Sequence, residues 1–324
     1  MESLSKCILE HRKINNSTLK NYMRVLTRLK NASGKETVEE FLESAPTLLY
    51  MIKGYKQSSQ MPMLSAVIGA LDSCNRVEQN LKYQSSLNLY RDYMKELAPI
   101  LEHRRYECKK TTKESDNWCS MSDLQSCNQK NRKKITKLIK RADLTFKEFN
   151  LYQNYLISCL YSIDEANPPR RLDYRNMKII KLDDYIKSHS KTQNYLIIKS
   201  AKEKVFLFQD FKTVKSTGII SINVGTDLNK IINEYLKVLK KQTIVKNNDY
   251  LLFNNKGEAV DASGFGQNVG DAFKDTGKIV TVNLIRHIFL SSNADNWTLQ
   301  KRKEISRLMS HSLETQLTYA KIND

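Results

Sequence analysis

What most constrains the fold of this chain is how its apolar residues recur. Over the first hundred residues they return at helical spacing, and strand-like runs are confined to a short window between residues 195 and 224. In N-N-S-T-L-K-N-Y-M-R-V-L-T-R-L, Leu19, Tyr22, Met23, Leu26 and Leu29 share one face, and Ser17 or Thr18 is placed to cap the helix. Lys20, Arg24 and Arg28 recur along the other face, as a stripe for phosphates or as a solvated surface. Further helices are expected around 37–55, 61–75 and 84–98, which makes this part an all-helical domain. A length of 324 residues favours two domains. Residues 104–134 are polar and without a sustained apolar period, which suits an exposed linker with the boundary near 105–115. The expected division is 1–105, a helical domain; 106–134, a linker leading into the second domain; and 135–324, the second domain.

The second half mixes two periods. K-N-R-K-K-I-T-K-L-I-K-R (130–141) carries seven basic residues, among them Lys130, Arg132, Lys133, Lys134 and Lys137, and no acid. Ile135, Leu138 and Ile139 keep a helical edge, so a basic amphipathic helix is expected; it could face DNA, a membrane surface or solvent, and the charge of the whole chain favours DNA as what these basic residues bind. After a helix over about 144–162, Pro168 and Pro169 should stop one element and can open the next. Tyr195–Ile198, Lys204–Phe208 and Ile219–Val224 are short, β-branched or aromatic runs between polar turns, which predicts a small antiparallel sheet. Leu228–Leu239 returns to helical spacing. The fold class expected is mainly α with a small antiparallel β-sheet (α+β). There is no Gly-rich phosphate loop, no H-E-x-x-H and no internal repeat.

Composition narrows the partner. Fifty-three Lys and Arg against 35 Asp and Glu give a net charge of +18, which favours a polyanion, most simply nucleic acid. The six cysteines, at 7, 74, 108, 119, 127 and 159, form no C-x-x-C pair and suggest reduced thiols rather than zinc ligands. The N-terminus has no apolar signal core, and no apolar run approaches the roughly 20 residues that span a bilayer. A soluble intracellular protein of the cytoplasm or nucleus, with no membrane partner, is expected.

The last forty residues carry the residues suited to chemistry. In V-N-L-I-R-H-I-F-L-S-S, Leu284, Ile285, Ile288 and Phe289 lie on one side of a helix, with Asn283, Arg286 and His287 on the other. An arginine emerging from so apolar a helix is positioned for an anion more often than an ordinary surface arginine. In S-H-S-L-E-T-Q-L-T-Y-A-K, Ser312 can cap a helix starting at Leu313, with Leu313 and Leu317 buried. His311 then sits in the turn before it and Tyr319 two turns along. Each residue alone has a commoner, purely structural explanation.

Their order is what carries a resemblance. L-I-R-H-I-F-L-S-S resembles the second box of the tyrosine recombinases, the phage-integrase superfamily, and M-S-H-S-L-E-T-Q-L-T-Y resembles the final box with its nucleophilic tyrosine. P-P-R-R-L-D-Y looks like the first box, in a form associated with integrases of large DNA viruses and mobile elements, and F-K-T-V-K-S resembles the lysine-bearing β-hairpin. The likeness covers the C-terminal half in order. The N-terminal helical domain is similar in size and type to the family's core-binding (DNA-clamp) domain.

The resemblance implies a site-specific recombinase or integrase acting on double-stranded DNA as a homo-oligomer, a tetramer in this family. Tyr319 would form a 3′-phosphotyrosyl link, dividing strand exchange into two transesterifications. Arg171 (or its neighbour Arg170), Arg286 and His311 would hold the phosphate, because cations aimed at its equatorial oxygens favour the transition state. Lys212, with Lys215 as runner-up, would protonate the departing 5′-oxygen. One phosphate ester replaces another, so no cofactor, ATP or metal is implied. The sequence departs from the family at Asn283, where a histidine is usual, and His287 is expected to be structural. Only five residues follow Tyr319, where relatives often carry a further helix that docks on a neighbour. A type IB topoisomerase and a non-catalytic DNA-binding relic are the competing readings.

Overall fold

The computed structural model describes residues 1–78, 83–138, 141, 144–163, 165–242 and 249–321. The chain divides into two compact units, Met1–Glu107 and Cys108–Asp324. Ile139, on the apolar edge of the 130–141 stretch, and the last three residues lie outside the described residues. No helix among the described residues is long and apolar enough to cross a membrane.

Among the described residues the elements of the first unit are all helices: α1 (Glu2–His11), α2 (Asn16–Ser33), α3 (Val38–Glu43), α4 (Ala45–Lys53), α5 (Gln57–Glu78) and α6 (Gln84–Tyr106). Leu19, Leu26 and Leu29 of α2 join Ile8 of α1, Val67 and Leu71 of α5 and Tyr90 of α6 in one core. Complete burial of each such leucine contributes about 1.5–3 kcal/mol. The cap of α2 is Asn15, whose side chain accepts from the Thr18 amide at 2.8 Å. Ser17 and Thr18 already lie inside the first turn, so neither serves as the cap. Lys20, Arg24 and Arg28 are all exposed, and the Arg28 guanidinium lies 4.5 Å above the Tyr55 ring.

The second unit opens with α7 (Thr112–Asn117) and α8 (Met121–Thr136), so the stretch that reads as an exposed linker is mostly helical. Its polarity comes largely from helix starts: Thr111 with Glu114, and Ser120 with Asp123, are reciprocal capping boxes. Short capped helices show little apolar period, which hides them in sequence. The basic residues of α8 divide by direction. Lys134 pairs with the Asp275 carboxylate at 2.5 Å, Lys130 donates to the Asp275 carbonyl at 3.2 Å, and Arg132 pairs with Glu234. Lys133 and Lys137 point to solvent.

At the centre of this unit is α9 (Phe146–Ser162), with Phe149, Tyr152, Leu156, Ile157, Leu160 and Tyr161 buried around its circumference. No helix opens at the prolines; residues 167–177 run through turns into β1 (Lys178–Lys181). The sheet has the order β1, β2 (Tyr195–Ile198), β3 (Lys204–Phe208), β4 (Ile220–Asn223), and it is mixed rather than purely antiparallel. β2–β3 and β3–β4 are antiparallel, but β1 runs parallel to β2. Its connection, through α10 (Leu182–Lys187), has the length of about a dozen residues that a parallel crossover needs. K-I-I-K is too short and too charged at its ends to announce a strand. Phe206, Phe208, Ile220 and Ile222 face the main core, while Tyr195, Ile197 and Val205 form a smaller cluster on the other face.

The chain continues through α11 (Val214–Thr217), which lies between β3 and β4, then α12 (Thr226–Leu239), α13 (Ala262–Ala272), α14 (Val282–Asn293), α15 (Leu299–Leu308) and α16 (Leu313–Tyr319). Ser312 caps α16 by accepting from the Thr315 amide at 3.1 Å. Leu317, expected inside, is 49% exposed, whereas Gln316 and Thr318 are buried. A seven-residue helix has one inner face, and Tyr319 sets it by docking on α14. Leu317 then points outward.

Candidate active site

Four segments of the second unit converge: the turn after Pro168–Pro169, the β3–β4 connection, α14, and the α15–α16 turn. Arg286 leaves the buried part of α14 and is completely enclosed. Its Nη1 donates to the Pro169 carbonyl at 2.7 Å, and its Nη2 to the Met309 carbonyl at 3.2 Å and to His311 Nδ1 at 3.2 Å. Its Nε is buried without a partner. Burial, and then the positive charge of Arg171, bring its pKa down to about 10. Among the described residues no carboxylate forms an ion pair with it.

An arginine can only donate, so His311 Nδ1 must accept and Nε2 carries the proton. That Nε2 is also buried without a partner. Burial, Arg286 and Arg171 push the His311 pKa down to about 3. His311 is therefore a neutral donor rather than the third cation that the resemblance implies.

The turn that aims His311 is a Schellman motif. The His311 amide donates to the Ser306 carbonyl and the Ser310 amide to the Arg307 carbonyl, both at 3.0 Å. This places Ser310 in the left-handed region, at φ 59°, where glycine is the usual residue. The Ser310 hydroxyl accepts from Arg170 Nη2 at 2.8 Å, and its carbonyl accepts from Arg171 Nη1 at 2.8 Å and from Thr213 Oγ1 at 3.3 Å.

The two adjacent arginines are thus separated. Arg170 is wholly buried: Nε bonds the Asp173 carboxylate at 2.8 Å, Nη1 bonds the Leu308 carbonyl, and the guanidinium packs over Phe208 at 4.0 Å. Its donors are committed within the fold. Arg171 is partly exposed, has its backbone carbonyl held by the Tyr161 hydroxyl at 2.5 Å, and lies close enough to lower the pKa of both Arg286 and His311.

Tyr319 stands at the end of α16. Its hydroxyl donates to Asn283 Oδ1 at 3.3 Å, and its carbonyl accepts from His287 Nδ1 at 2.8 Å. The His287 ring stacks on the Tyr319 ring, with centroids 4.4 Å apart and planes at 19°. The Arg286 guanidinium carbon lies 5.5 Å from the Tyr319 ring centre. Lys212 and Lys215 sit in the β3–β4 connection, both exposed, and Thr213 between them ties that connection to the His311 turn.

Sequence reasoning missed Asp173, Ser310, Glu114 and two basic residues of α15. Glu114 approaches His287 Nε2 at 3.6 Å. Lys303 and Arg307 line an open cleft of ≈ 390 Å³ beside His311. Their i, i+4 spacing on a polar helix was a legible signal for a shared face; nothing in the sequence marked which face it was.

A mainly helical unit, followed by a larger helical unit built around a small mixed sheet with this cleft at its end, is a tyrosine-recombinase-like fold. Among solved structures, the chain is similar to the XerH site-specific recombinase bound to palindromic difH substrate in a post-cleavage complex. That match has a TM-score of 0.51 and 12% identity, over 98% of this chain and 80% of that one. It is also similar to XerA recombinase (TM-score 0.43, 17% identity, 100% and 95% covered) and to the XerH pre-cleavage complex with difH (TM-score 0.47, 12% identity, 94% and 75% covered). At such identities the XerH likeness is one of fold. No protein-family model and no curated protein matches the sequence.

Proposed function

We propose that this chain is a site-specific DNA recombinase that cleaves and rejoins double-stranded DNA through Tyr319. The observation that carries the reading is Arg286: a fully buried guanidinium with a spare Nε and no carboxylate paired with it among the described residues. Burying a charge uncompensated costs several kcal/mol, so such a site suits an anion that arrives from outside. Arg171 lies near enough to lower the pKa of Arg286 and His311, His311 Nε2 is likewise buried without a partner, and a DNA phosphodiester would supply both the charge and the acceptor oxygens.

In the proposed step, the Tyr319 oxygen gives up its proton to water and attacks phosphorus, the bond from phosphorus to the 5′-oxygen breaks, and a 3′-phosphotyrosyl link remains. Arg171, Arg286 and His311 stabilise the charge that moves onto the equatorial oxygens. Lys212, with Lys215 as the alternative on the same connection, gives its proton to the departing 5′-oxygen. Religation by another strand's 5′-hydroxyl reverses these moves. The reading also assigns the first unit to the DNA backbone through Lys20, Arg24 and Arg28, and adds Lys133 and Lys137 from α8. Acting on two DNA sites requires a homo-oligomer, a tetramer by family resemblance.

The test is a nicked suicide DNA carrying a site selected from the protein's own genome. Wild-type protein should become covalently attached without ATP or a divalent ion, and Tyr319→Phe should abolish attachment. Attachment that persists in Tyr319→Phe would overturn the assignment of the nucleophile, and specific binding without any adduct would favour a non-catalytic DNA-binding protein.

A further inference from the structure

Tyr319 is held at both ends by the same pair of side chains. Its hydroxyl donates to Asn283 Oδ1, and Asn283 Nδ2 lies 3.3 Å from His287 Nε2. His287 Nδ1 closes the ring by bonding the Tyr319 carbonyl at 2.8 Å. A carbonyl can only accept, so Nδ1 carries the proton and Nε2 presents a lone pair. That lone pair fixes the Asn283 amide: its NH₂ faces the imidazole and its oxygen faces the phenol.

From this closed ring we propose that Asn283 and His287 act as one positioning unit for the nucleophile, and that the unit is assembled only while His287 is neutral. The inference rests on Tyr319 being the nucleophile. With its O–H donated to Asn283, the phenol is oriented along α14, where the Arg286 guanidinium also acts on it. Stacking on His287 fixes the plane of the ring. Asn283 cannot take up a proton, so its contribution is orientation.

Protonating His287 puts a hydrogen on Nε2, and two donors then face each other. The Asn283 amide must rotate, which turns its NH₂ towards the phenol and breaks the bond that orients it. The groups around His287 compete over this proton. The Tyr319 carbonyl, which accepts from Nδ1, and then Glu114 of α7, at 3.6 Å from Nε2, favour the imidazolium. Burial among α14 and α16, Lys321 beyond α16, and Arg286 on its own helix oppose it, and the net direction is downward. His287 is accordingly neutral at ordinary pH, and the unit is assembled.

Two experiments test this. Single-turnover adduct formation on the nicked DNA should slow about tenfold or more in Asn283→Ala, with DNA affinity unchanged. His287→Phe, which keeps a ring stacked on Tyr319, should slow it similarly, and the double variant should be no slower than the slower single variant, as expected of residues that act together. The wild-type rate should fall as the solution is acidified through the His287 titration, and this limb should vanish in His287→Phe. Wild-type speed in Asn283→Ala, independent effects in the double variant, or an acid limb retained in His287→Phe overturns the proposal. The second experiment needs no activity: the imidazole ¹⁵N shifts of His287 in the free protein should report the Nδ1–H tautomer. An Nε2–H tautomer overturns the proposal even if adducts form. Failure of adduct formation alone sinks the recombinase reading and leaves the tautomer result to judge this one.

Discussion

Arg170 and Arg171 are adjacent in sequence and opposite in what they face. Arg170 is enclosed with the Asp173 carboxylate and spends its donors on Asp173, Leu308 and Ser310. Arg171 is partly exposed and lies near enough to Arg286 and His311 to lower the pKa of both. Replacing Arg170 by leucine leaves Asp173 buried and unpaired, and should cost about 3–5 kcal/mol, read as a lower urea midpoint. Arg171→Ala removes a partly exposed side chain and should leave that midpoint within about 1 kcal/mol of wild type. The same variant should slow adduct formation by about a hundredfold or more, as loss of one oxyanion-stabilising donor does. If Arg171→Ala cleaves normally while a folded Arg170 variant does not, the two assignments are exchanged. What separated the pair was burial, which depends on residues more than thirty positions away.

Among the elements, the α15–α16 turn joins the most parts of the site. Ser310 links Arg170, Arg171 and the β3–β4 connection, and it does so from a backbone conformation that suits glycine. Ser310→Gly relieves left-handed strain of about 1 kcal/mol. It also removes a hydrogen bond to a charged group, worth about 1.5–3 kcal/mol. The balance predicts a net loss near 1 kcal/mol in urea unfolding, and a variant more stable than wild type would show that strain dominates. Element by element, the long helices α2, α9, α12 and α14 and the strands β2 and β3 were legible because each spans enough residues to show its period. β1, α7 and the start of α8 were not. Four to six residues with polar caps carry too little apolar pattern, and a parallel β1 needed a crossover that only the folded chain displays.

Among the described residues the first unit has one apolar core, and the second unit has one large core with two smaller clusters beside it. A fragment comprising residues 108–324 should therefore unfold in urea as one cooperative transition, without residues 1–107. A gradual, non-cooperative loss of its near-ultraviolet circular dichroism would show that its core depends on the first unit. The charge of +18 concerns partners rather than fold, because surface charge alters association far more than it alters topology.

By itself the sequence determined what depends on local order: the helical period of the first unit, two of the strands to the residue, and the ordered boxes ending in Arg286, His311 and Tyr319. These are read along the chain, where spacing and side-chain type suffice. Only the tertiary structure decided what depends on distant neighbours. It made Arg170 a buried strut and His311 a neutral donor, because desolvation and nearby cations come from other segments. It also placed Asn283 between the Tyr319 hydroxyl and His287, where an amide, though no base, accepts from the phenol while its NH₂ faces the imidazole nitrogen.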